Sequence, residues 1–100
     1  MNTVDELLAS AERDENPPAG LEACVRALWL VKKGHWDASH EVAQDVHTSH
    51  GSWVHALLHR IEGDFGNARY WYNQAGKPAK PNDYDLDMEW REIAEALLGD

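Results

Sequence analysis

Residues 25–36, VRALWLVKKGHW, and residues 54–65, VHALLHRIEGDF, carry the reading that decides the fold. A shift of 29 residues lays Val25, Ala27, Leu28, Gly34 and Trp36 onto Val54, Ala56, Leu57, Gly63 and Phe65. Each stretch reads as a helix that stops at a glycine and is followed by an aromatic residue and a second helix. Alanine lets two backbones come close, and glycine takes up the left-handed conformation that ends a helix and reverses the chain. The aromatic fills the open end of the turn. A unit of this kind buries its apolar face only against a neighbour, so the duplication predicts a helical repeat.

Outward from this pair, helix signals follow one another along the chain. Thr3 and Glu6 form a capping-box pattern ahead of Val4, Leu7, Leu8 and Ala11 at helical spacing. Pro17 and Pro18 close that helix or open the next, which is expected from about Ala19 to Lys33, with Lys32 and Lys33 suiting the dipole of its last turn. Asp37 is the expected cap of a third helix reaching about His47, and Thr48 to Gly51 is expected to be a loop. Ser52 is the expected cap of a fourth helix to Glu62, and a fifth runs from about Asn67 to Ala75, where Gly76 stops it. After the proline-stiffened stretch GKPAKPND, a last helix is expected from about Asp85 to Leu98. The reading is a single all-α domain over residues 1–100, with repeat units at about 22–50 and 51–81 and a capping helix at about 85–98.

The stretch Glu62–Ala75, EGDFGNARYWYNQA, resembles the turn and second helix of a tetratricopeptide (TPR) or Sel1-type repeat, and KKGHWDASHEVAQ is a looser version of the same unit. Ala56, Ala68 and Ala75 stand at the small positions with Tyr72 as the aromatic, matched in the first unit by Ala27, Ser39, Val46 and Ala43. The period is shorter than the roughly 34 residues of a tetratricopeptide, and His55 and His59 occupy positions where that pattern has a leucine and an aromatic. The resemblance implies two tandem TPR-like helical hairpins, capped by the N- and C-terminal helices, that bind a protein or peptide. Two units are fewer than the three a stable stack usually needs, so the terminal helices must cap them, or a homodimer must cover an exposed face. WVHALLHRIEGDFGNARYWYNQAG also resembles uncharacterised bacterial proteins, a likeness that implies no activity.

Charge excludes some partners. The chain carries 18 acidic and 9 basic residues, a net charge of −9, and the acids gather at residues 1–16 and 83–100. Nucleic acid is not an expected partner, because phosphate binding needs a basic face. No apolar run reaches the roughly 20 residues of a membrane span, and MNTVDELLAS has neither the basic nor the long apolar region of a secretion signal. A cytoplasmic protein without membrane partners is the expectation. The one cysteine, Cys24, rules out an internal disulfide and sits in a helical pattern, as a small buried hydrophobe would.

All six histidines lie between His35 and His59. His40, Gln44 and His47 are spaced to share one face of the third helix, and His55, His59 and Glu62 one face of the fourth. A tight reversal sets His40 opposite the His59–Glu62 turn and His47 opposite the region of His55. His55 and His59 also have the i, i+4 spacing of metal chelation on a helix, and with His40 they are the metal-ligand candidates. Two arguments disagree about this seam. The helical wheel puts His55, His59 and Glu62 opposite the Trp53/Leu57/Leu58 stripe, facing water, whereas the repeat match puts both histidines on a packing face. The plain alternative is a set of solvated or singly hydrogen-bonded histidines.

Other signals are weaker. In Tyr70-Trp71-Tyr72 the last two fit the core stripe and only Tyr70 is expected to be exposed. The run Asp83, Asp85, Asp87, Glu89 lacks the glycine and twelfth-position glutamate of a calcium loop and reads as charge compensation at a helix start. No nucleophile-elbow pattern is present. The leading expectation is a non-catalytic module binding a protein or peptide, with no cofactor. The alternative is a small-ligand or metal-binding protein, conceivably an enzyme, using His40, Gln44, His47, His55, His59, Glu62 and Tyr70.

Overall fold

The computed structural model describes residues 2–99, and these form six helices with no strand. The first, α1 (Val4–Arg13), opens on the expected capping box: Thr3 Oγ1 accepts from the Glu6 N–H at 3.1 Å, and the Glu6 carboxylate accepts from the Thr3 N–H at 3.1 Å. The second, α2 (Ala23–Lys33), starts four residues later than expected from Ala19, because Gly20 takes a φ of +84° and the Glu22 carboxylate, not a proline, caps the helix. Gly34 ends α2 with a φ of +97°, a backbone state that side chains disfavour. Helices α3 (Trp36–Gln44), α4 (Ser49–Ile61), α5 (Phe65–Ala75) and α6 (Leu86–Leu98) follow.

Other boundaries differ too: the N-cap of α3 is His35 and not Asp37, which lies in its first turn, and α5 starts two residues before Asn67 because Asp64 caps it by accepting from the Asn67 N–H. Helix α3 ends at Gln44, three residues before His47, because the Asp45 and Val46 N–H groups bond to Val42 and Ala43 carbonyls in a tightened last turn. Helix α4 is capped by Thr48 and not by Ser52: Thr48 Oγ1 accepts from the Gly51 N–H at 3.0 Å, and Ser49 to Gly51 are helical. Gly51 is buried against Val46, and a β-carbon there would lie 2.3 Å from the Val46 carbonyl oxygen. The glycine expected to belong to a loop is therefore a packing residue in the first turn of a helix.

Helix α2 packs chiefly on α3, and α4 chiefly on α5, each pair reversing at a glycine of positive φ, Gly34 or Gly63. The small residues sit where the backbones meet: Ala27, Ser39, Ala56 and Ala68 are buried, and Ser39 Oγ donates to the Ala27 carbonyl across the α2–α3 contact at 2.7 Å. Helix α4 is central, touching α2, α3, α5 and α6. Its length from Trp53 to Arg60 is buried, so it has no solvent face over those two turns.

The tryptophans tie the helices together through their N–H groups as well as their area. Trp29 donates to Ser10 Oγ of α1, Trp36 to the Leu58 carbonyl and Trp90 of α6 to the Leu28 carbonyl of α2. Trp53 donates to Glu89 at 3.0 Å. Glu89 is fully buried; it also accepts from Arg60 at 2.6 Å and from the Tyr72 hydroxyl at 2.5 Å. Arg60 in turn reaches the carbonyls of Pro81, Asn82 and Tyr84, which holds the segment between α5 and α6 in place. Charge compensation thus describes Asp85, whose side chain caps the Met88 N–H, but not Glu89, whose role is a buried ion pair. No helix among the described residues is long and apolar enough to cross a membrane.

Candidate metal centre

The end of α2 and the start of α3 set the site. Gly34 reverses the chain, Trp36 anchors α3 by donating its N–H to the Leu58 carbonyl at 2.8 Å, and His40 follows one turn later on the same face. Opposite stand His55 and His59, one turn apart on α4. Imidazole nitrogens of His40, His55 and His59, one from each ring, lie within 4.8 Å of one another. The His40 ring meets His55 edge-on at 4.6 Å between centroids and His59 at 5.6 Å, while His55 and His59 lie nearly parallel at 4.9 Å.

Aromatic rings wall the cluster. Trp36 stacks on His40 at 4.9 Å and meets His59 edge-on at 6.2 Å. Trp71 of α5 stacks on His55 at 3.8 Å with only 10° between the planes. His55 is 4% exposed and His59 6%, with His40 half-buried. The packing face implied by the repeat therefore prevails over the water-facing side read from the helical wheel. A helix surrounded by four others buries its second face too.

At the rim, Glu62 Oε1 lies 2.6 Å from His59 Nδ1. An ionised carboxylate only accepts, so Nδ1 is the donor in this contact. Burial pulls the His55 pKa down to about 4, helped by the neighbouring His40 and His59. The ring is thereby held neutral, the state in which imidazole binds metals. Three imidazoles converging in a water-poor place, one of them beside a carboxylate, match the donor set of a zinc-type site with its outer-shell partner. Asp64, which the sequence reading passed over, joins His59 and Glu62 in a second group whose donor atoms lie within 4.8 Å, although its carboxylate already caps the Asn67 N–H of α5. Its only sequence signal is its place two residues after Glu62.

The seven sequence candidates divide. His40, His55, His59 and Glu62 come together as expected. Gln44 and His47 do not join them: both are exposed, and His47 lies beyond the end of α3, because the early stop of that helix turns it away from His55. With Tyr70, which is 55% exposed as expected, and Trp71 they line a separate cleft. Trp36 and Trp71, the walls of the cluster, were legible only as core residues. Cys24 is buried and takes no part; burial pushes its thiol up to about 11, as suits an inert hydrophobe. Comparison with protein-family models, with curated proteins and with solved structures gives no match.

Proposed function

We propose that the protein binds a divalent transition-metal ion of the zinc class through His40, His55 and His59. The convergence of three imidazoles from α3 and α4, within 4.8 Å of one another and walled by Trp36 and Trp71, carries this reading. An ion at about 2.1 Å from each nitrogen draws the three together by about an ångström, a movement that the half-buried His40 accommodates. Glu62 fixes the proton of His59 on Nδ1 and leaves Nε2 for the metal. Three protein ligands leave a fourth position to water or a small anion, and any catalytic role rests on that position.

The test is calorimetric titration of chelator-treated protein with Zn²⁺, alongside elemental analysis. One ion per chain is expected, with a melting temperature that rises with zinc; at a thousandfold excess over Kd the stabilisation is about 4 kcal/mol. His40→Ala abolishes both effects. Absence of bound metal together with melting unaltered by zinc removes the proposal.

A second reading, a TPR-like module that binds a protein or peptide or pairs with a second copy, draws on a different observation. The exposed Ile61 and Leu86 line a groove with Val31, Leu57 and Trp90, flanked by Lys32 and Asp87. On this reading α2–α3 and α4–α5 are two TPR-like hairpins capped by α1 and α6. Helix α6 packs on both α2 and α4. It therefore takes up the faces of the two leading helices that a peptide would use, which is why the metal reading stands first.

A further inference from the structure

The cleft that Trp71 helps to line has a volume of about 440 Å³ and lies between the α3–α4 loop and α5. This falls in the range of small-molecule pockets, roughly 300–1,000 Å³. Its walls differ in kind from those of the histidine cluster. Gln44, His47 and Ser49 line it from the end of α3 and the start of α4, and Tyr70, Trp71 and Gln74 from α5. No lysine, arginine, aspartate or glutamate lines it among the described residues. We infer that this cleft binds an uncharged, hydroxyl-rich small molecule of the saccharide class.

Three observations select that chemistry. First, an anionic ligand finds no lysine or arginine in the lining and meets a chain of net charge −9, so phosphate and carboxylate ligands are disfavoured. Second, amide, imidazole and hydroxyl side chains offer both donors and acceptors, which is what a ring of hydroxyl groups requires; a purely apolar ligand leaves them unpaired. Third, the two aromatic rings stand nearly perpendicular, at 86° with centroids 5.1 Å apart. They form a corner, not a slot. One face of Trp71 is already covered by His55 at 3.8 Å, so no pair of parallel faces is available to clamp a flat heterocycle. A puckered sugar ring fits such a corner, since its C–H bonds carry partial positive charge toward the negative face of an aromatic ring while its hydroxyl groups reach the amides.

The inference does not rest on the metal. The two places share Trp71 and no histidine: Trp71 stacks on His55 and also lines the cleft, whereas His40, His55 and His59 do not line it.

Calorimetry and tryptophan fluorescence on the chelator-treated full chain test it, with D-glucose, D-galactose, D-mannose and N-acetylglucosamine as probes and adenosine and glucose 6-phosphate as the flat and the anionic comparison. One of the neutral sugars is expected to bind one to one in the millimolar range. Tyr70→Ala and Gln74→Ala, both at exposed positions, are each expected to weaken it about tenfold or more with the helical circular dichroism unaltered. His40→Ala, which breaks the metal triad, is expected to bind the sugar as before, so failure of the metal reading leaves this result standing. The inference is overturned if no neutral sugar gives heat or a fluorescence change, if adenosine or glucose 6-phosphate binds in their place, or if both cleft variants bind as the parent does.

Discussion

His55 shows how a single side chain takes its properties from its neighbours. Spacing alone marked it as a candidate, because i, i+4 histidines share a helix face. Its burial under Trp71 depends on a helix that follows it in the chain and was not readable from α4 itself. In the metal-free protein that burial, with His40 and His59 close by, pulls its pKa down to about 4. The unfolded chain titrates at about 6.5, so it binds more protons than the folded protein between these values. The stability that His55 contributes is thus complete above about pH 6.5 and is lost as pH falls toward 4, by up to about 3 kcal/mol. Urea unfolding of metal-free protein should show this fall between about pH 7 and about pH 4.5, and His55→Gln should flatten it; equal stability across the range contradicts the burial. Glu62 meets the proposed site only through His59. Its carboxylate is 39% exposed, so Glu62→Gln should leave the fold intact while weakening zinc binding by about 10- to 100-fold. Unaltered affinity in a competition titration shows that the His59–Glu62 contact does not orient the ligand.

At the scale of elements, all six expected helices form but several of their boundaries shift, and at the start of α4 a tertiary contact decides. Thr48 and Ser52 are both good caps, and Gly51 weighs against helix on propensity alone. The choice of Thr48 follows from the close approach of Gly51 to Val46, a contact no local pattern contains. Thr48→Ala should cost about 1 kcal/mol, whereas Ser52→Ala, inside the helix, should cost little. Equal losses in thermal or urea unfolding contradict the boundary. Gly51→Ala should cost about 1–3 kcal/mol, because its new carbon meets a backbone carbonyl that cannot swing away. A different boundary, the end of α3, carries His47 into the expected histidine seam, since a helix continued to that residue points it at α4. By contrast, the turns at Gly34 and Gly63 were legible, because a glycine at positive φ is a local requirement.

Across the whole molecule, α6 is the element that converts two helix pairs into a closed core. Trp90 reaches α2 and Glu89 reaches Arg60 of α4 and Tyr72 of α5. Nothing in the acidic run around Glu89 set this residue apart, since its partner is 29 positions upstream and contributes no local period. Glu89→Ala leaves the Arg60 guanidinium buried without its partner and should cost about 3–5 kcal/mol in urea unfolding; a loss below about 1 kcal/mol indicates that Arg60 finds water or another acceptor. This closure keeps α4 central and so keeps His55 and His59 out of solvent, facing His40. The most direct test of that arrangement is the zinc K-edge absorption spectrum of the zinc-loaded protein. Three imidazole nitrogens and one further light atom, all near 2.0 Å, are expected. A metal bound by fewer than three imidazoles, or a spectrum unaltered in His40→Ala, contradicts the histidine centre proposed between α3 and α4.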